Sequence, residues 1–123
     1  MSETQPRLLL PDAPALIAGY ARSAVMTRDG EILSAGNAEI PAILAGDAPL
    51  LIHAPASFRR LNLPEAPAYD LLTLFAFALP AQTATPTARG LALALDIEVP
   101  EGGAEAEIAL LPTIATVLLR HLA

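Results

Sequence analysis

Short apolar runs between turn-forming residues fill the first half of the chain, and longer apolar stretches fill the second. Ala15 to Gly19 reads as a buried strand. Ala24 to Thr27 and Glu31 to Ser34 flank Arg28-Asp29-Gly30, and Asp-Gly between apolar runs predicts a β-hairpin whose two turn positions want φ > 0. Asn37 reads as the cap of a helix over 38–45 with Ile40, Ile43 and Leu44 on one face, Pro41 in its first turn and Gly46 as its stop. Leu50, Leu51 and Ile52, bounded by turn signals, predict a central strand covered on both faces.

From Pro55 a helical turn runs through Leu61, and residues 63–67, two of them proline, form a stiff connector. Tyr69-Asp70 is a short strand step that opens a helix to Leu79, closed by Pro80. That helix has so little polar face that burial on most sides is expected. A second helix is predicted over 87–95, with Leu91 and Leu95 four apart. Residues 97–103 read as a turn. A last helix spans 104–122, and Pro112 either kinks it or starts a new one. Residues 1–13 read as extended or frayed. The element order is strand, hairpin, helix, strand, helix, short strand, helices, which is an α/β layer. A length of 123 residues suits a single domain over 1–123.

Composition narrows the picture. The chain holds 26 Ala and 22 Leu against 4% aromatics, so its core is aliphatic and favours helices. All seven basic residues are Arg, scattered except for the adjacent Arg59-Arg60, and the net charge is −6. Independent nucleic-acid binding is therefore not expected. Without cysteine there is no disulfide, iron–sulfur cluster or thiolate zinc site. The N-terminal residues lack a signal-peptide pattern, and no apolar run approaches the roughly 20 residues of a bilayer span, so a soluble, cytoplasmic protein without membrane contact is expected.

Two resemblances add to this reading. Leu50-Leu51-Ile52-His53-Ala54, followed by Tyr69-Asp70-Leu71-Leu72 and Leu79-Pro80, is similar to proofreading-type DEDD 3′–5′ exonuclease domains. In those domains a strand leads into a His motif, and a later Asp step opens a Leu-rich segment closed by Pro. More closely, Asp70-Leu71-Leu72-Thr73-Leu74-Phe75-Ala76-Phe77-Ala78-Leu79-Pro80-Ala81, then Pro86-Thr87-Ala88-Arg89-Gly90-Leu91, resembles the N-terminal region of bacterial DinG-type ATP-dependent DNA helicases. The resemblance covers much of residues 15–96. It implies a ribonuclease H-like mixed sheet, an antiparallel hairpin plus a parallel strand, with covering helices. It also implies a parent helicase acting in DNA repair or replication.

The resemblance does not bring the chemistry with it. DEDD exonucleases hold two divalent metals with four carboxylates. The first pair belongs on the first strand, and residues 13–28 contain no acid. The next falls in the Ser57-Phe58-Arg59 neighbourhood. The last falls near Leu110, where Glu105 and Glu107 read as an acidic helix start. Asp70 is not a metal ligand in that family. The helicase motor is absent from this chain: there is no G-x-x-x-x-G-K-[ST] loop and no Lys to serve one. ATP and Mg²⁺ are implied only for that motor, and no catalytic set, cofactor or metal is expected in residues 1–123.

Asp70 then reads as a helix cap, His53 as a histidine tied to backbone near a sheet edge, and Phe75 and Phe77 as core aromatics. Arg59 and Arg60 are the candidate contact with DNA or a partner, against the alternative of a solvated pair on a helix. The expected function is a non-catalytic accessory or docking domain of a DinG-type helicase, with motor domains in cis and DNA reached through the parent protein. One alternative is a standalone interaction protein that self-associates as a homodimer or binds another protein. Another is a residual metal-dependent nuclease.

Overall fold

A computed structural model describes residues 12–122. Arg7, and the expectation for residues 1–13 apart from Asp12 and Ala13, lie outside them. A five-stranded mixed sheet carries the fold: β1 (Ala15–Ile17), β2 (Arg22–Met26), β3 (Ile32–Gly36), β4 (Leu50–Leu51) and β5 (Tyr69–Asp70). Their spatial order is β3-β2-β1-β4-β5. Strand β2 runs antiparallel to both β1 and β3, while β4 lies parallel to β1 and to β5, with Ala15 level with Leu50 and Leu50 level with Tyr69.

Successive strand residues point to opposite faces, and here both faces are apolar. Leu16, Val25 and Leu51 join one core with Ile40 and Leu44 of α1 (Ile40–Leu44) and Phe58 of α2 (Ala54–Arg60). Ala15, Ala24 and Leu50 join the other, beneath α3 (Leu71–Ala78), α4 (Ala88–Ala94) and α6 (Leu110–Leu122). Small residues on this second face let the helices approach closely, and α6 supplies most of the cover through Leu110, Leu111, Ile114, Ala115 and Leu118. The single turn α5 (Ala104–Glu107) leads into α6, and Pro112 sits in the first turn of α6, where its missing N–H is not needed. Pro112 therefore starts a helix and does not kink one.

The hairpin lies where expected, but with a different turn. Thr27 N–H donates to Glu31 O at 2.8 Å and Gly30 N–H to Thr27 O at 2.8 Å, so the loop is Arg28-Asp29-Gly30. Only Gly30, at φ 91°, is left-handed; Asp29 is not. This is the three-residue loop that ends in a glycine bulge, and Thr27 Oγ1 stabilises it by accepting from Glu31 N–H at 3.1 Å.

Two further expectations are corrected. Asn37 does not cap α1. A 3-10 turn over Asn37–Glu39 precedes that helix, and Glu39 Oε1 closes the turn by accepting from Gly36 N–H at 3.1 Å. Helix α3 is not buried on most sides: Leu71 and Phe75 are buried, Leu72 and Leu74 are partly covered, and Thr73, Ala76 and Phe77 face outward. A helix lying on a sheet needs only one buried stripe, so a sequence apolar but for Thr73 leaves apolar residues on the surface.

Candidate functional site

Asp70, the last residue of β5, organises one corner of the molecule. Its Oδ1 accepts from Leu72 N–H at 3.0 Å, which caps α3, and from His53 N–H at 2.8 Å. Its Oδ2 accepts from Ala54 N–H at 2.7 Å, which caps α2. One carboxylate thus satisfies orphan amides of two helices. His53 takes the left-handed conformation at φ 64° to deliver its N–H there. The cap expected at Asp70 is present and serves a second helix as well; the bond at His53 is a different one from that expected, its own backbone N–H donating to the Asp70 side chain instead of its ring bonding to backbone.

A cleft of about 180 Å³ opens at the carboxyl ends of β1 and β4, lined by Ile17, Ala18, Ile52, Ser57, Arg60 and Glu107 among others. From β1 the chain moves to β2 and β3 on one side and then crosses to β4 and β5 on the other, so the cleft sits where the strand order reverses. Open α/β sheets bind ligands at that position. Three of its polar side chains are already engaged. Ser57 Oγ donates to Ile52 O at 3.1 Å, and Arg60 Nη1 donates to Ala18 O at 3.3 Å. Thr87, also on the wall, caps α4 by accepting from Gly90 N–H at 2.9 Å. One carboxylate, Glu107, faces this space. Holding two divalent ions takes several converging carboxylates. Among the described residues no group of three or more His, Asp or Glu comes together to hold a metal.

Adjacent in sequence, Arg59 and Arg60 are separated by the helix, which turns about 100° per residue. Arg59 faces a hollow with Pro55, Asn62 and Glu65 on the connector side. Arg60 faces the cleft, and its guanidinium lies 5.4 Å from the ring centroid of Tyr20. The two arginines are not one patch. Tyr20, 87% exposed at the apex of the β1–β2 turn, was not singled out by sequence reasoning. The signal was available as an aromatic in a Gly-Tyr-Ala turn between apolar runs.

Asn37 ties this end of the sheet together. Its Nδ2 donates to Gly19 O at 2.9 Å and Arg60 O at 3.2 Å, and its Oδ1 accepts from Ser23 Oγ at 2.6 Å. Ser23 Oγ in turn accepts from Gly19 N–H at 3.2 Å. Gly19 cannot carry a side chain, because a Cβ there would collide with Arg22 O.

At the opposite edge, a groove of about 640 Å³ runs between β5, α3 and α6, lined by Tyr69, Thr73, Leu74, Phe77, Ala115 and Leu119 among others. Phe77 is 74% exposed beside it, so of the two aromatics expected in the core only Phe75, at 3%, is there. No helix among the described residues is long and apolar enough to cross a membrane. Comparison of the chain with known protein families, with curated proteins and with solved structures returns no match.

Proposed function

We propose that this chain is a non-catalytic accessory or docking domain, built on a ribonuclease H-like sheet, that serves a DinG-type ATP-dependent DNA helicase in DNA repair or replication. The observation that carries the reading is the strand order β3-β2-β1-β4-β5 with β2 reversed, combined with a switch-point cleft furnished by Arg60, Ser57 and one glutamate. A ribonuclease H-like core has three antiparallel strands, a helix, and then parallel strands alternating with helices, and the exonucleases resembled hold their metals with four carboxylates. Here Asp70, the acid nearest the strand ends in the resemblance, is held by three backbone amides as a double cap. Motor domains, with their ATP and Mg²⁺, would act in cis. The test is the genomic reading frame downstream: a P-loop motor frame continuing from or adjoining residue 123 supports the assignment, and a stop codon with no adjacent P-loop frame sinks it.

The groove beside Phe77 favours a second reading, an interaction protein that pairs with another copy or another protein through an apolar surface. Sedimentation equilibrium of the isolated chain separates the two, since a stable dimer supports this reading and a clean monomer across the concentration range removes self-association.

A further inference from the structure

The turn between β1 and β2 is built more heavily than a surface connection needs. Its backbone is tied down at several points. Gly19 N–H donates to the buried Ser23 hydroxyl, Gly19 O accepts from Asn37, and Asn37 N–H donates to Ala21 O at 3.0 Å. Arg60 holds Ala18 O from below. The outward product of this network is the Tyr20 ring, 87% exposed. Large aromatics presented rigidly to solvent are recognition anchors, because little side-chain entropy remains to be lost on contact.

We propose that Tyr20 is a stacking platform for a base of a single-stranded nucleic acid. One face of the ring lies over the Arg60 guanidinium, 5.4 Å from its centroid, a cation–π arrangement that fixes the ring and leaves its other face to a base. Two residues on, the exposed Arg22 has its guanidinium pinned on β3 by Ser34 O at 2.8 Å and Ser34 Oγ at 3.3 Å, a fixed positive charge for a backbone phosphate. A flat aromatic stacked on one guanidinium, with a second guanidinium two residues along the chain, fits a base with its phosphates better than it fits an apolar peptide. The net charge of −6 repels nucleic acid elsewhere, which confines the contact to a few nucleotides. The inference deepens the accessory-domain reading and rests on it for the source of single strands.

Intrinsic fluorescence tests it. The chain has no Trp and two Tyr, so a Tyr69→Phe variant emits from Tyr20 alone. Titration with an oligothymidylate of about 12 nucleotides at low salt should quench that emission saturably, and the same oligonucleotide in a duplex should quench it far less. By anisotropy of a labelled oligonucleotide, Tyr20→Ala should lose about tenfold in affinity, Tyr20→Phe should retain it, and Arg60→Ala should weaken it severalfold. The slope of log K against log salt should lie near −1, as one or two phosphate contacts dictate. Because Tyr20 is exposed, an unchanged melting temperature in Tyr20→Ala separates lost binding from lost folding. Absence of quenching, equal affinity of Tyr20→Ala, or equal quenching by a polyglutamate peptide each overturns the site. A continuous frame into a motor without quenching would remove the stacking site and leave the domain assignment standing. Quenching by a chain whose frame stops without a P-loop neighbour would do the reverse.

Discussion

The carboxylate of Asp70 accepts the backbone N–H of His53 at 2.8 Å across 17 positions of sequence, and through that bond the start of α2 is fixed to the start of α3. The same side chain also takes Ala54 and Leu72, so neighbouring parallel strands deliver their helices from one shared anchor.

Removing that anchor should be costly. Asp70→Ala leaves three amides without their acceptor and should lower unfolding stability by about 3 kcal/mol, read from urea denaturation. Asp70→Asn can keep Oδ1 towards His53 and Leu72 but turns an NH₂ towards Ala54, so it should lose about half as much. Equal losses for the two variants would mean that the charge, and not the geometry, holds the corner.

Asn37 offers a sharper contrast. Asn37→Asp replaces the NH₂ that serves Gly19 O and Arg60 O with an oxygen facing two carbonyls. It should destabilise by about 2–3 kcal/mol, more than Asn37→Ala, although Asp caps helices as well as Asn does. Were Asn37 only a helix cap, the Asp variant would be close to neutral.

The two phenylalanines of α3 should behave oppositely. Phe75, buried under α6, should cost about 3–5 kcal/mol on truncation to Ala. Phe77→Ala should stay within about 0.5 kcal/mol, and if the chain self-associates through the groove it should lower the sedimenting mass. Phe77→Ala as destabilising as Phe75→Ala would place Phe77 in the core after all.

Nuclease activity gives the fourth test. Single-stranded DNA incubated with the protein and Mg²⁺ or Mn²⁺ should stay intact, and neither ion should raise the melting temperature by more than a nonspecific salt effect. Ion-dependent shortening from one end would revive the metal-nuclease alternative.

Much of the fold was legible because its signals are local. Leu50-Leu51 is a run covered on both faces, Pro55 and Thr87 start helices, and Gly30 closes a hairpin, each within a few residues of its cause. What escaped depends on distance. Asn37 looks like a cap, yet its partners lie 14, 18 and 23 residues away. With Thr73 as its one polar residue, the run of α3 cannot say which stripe meets the sheet, so Phe77 was assigned inward. Arg59 and Arg60 read as a pair, but one helical step sends them to different surfaces, and Arg60 meets Tyr20 across 40 residues of sequence. The cleft was legible only as missing acids on the first strand and after His53. That Arg60 stands in it follows from how α2 crosses the ends of β1 and β4.

The two faces of the sheet also differ in when they can close. Everything that covers the Leu16 side, from Ile40 to Leu61 with Leu63 and Ala68 packed against it, has been synthesised before β5 begins. The Ala15 side waits for α6, whose last buried residue is Leu118. A chain leaving the ribosome N-terminus first therefore finishes the Leu16 face well before the Ala15 face, which α3 and α4 cover in part and α6 completes, so truncation within α6 leaves an aggregation-prone sheet.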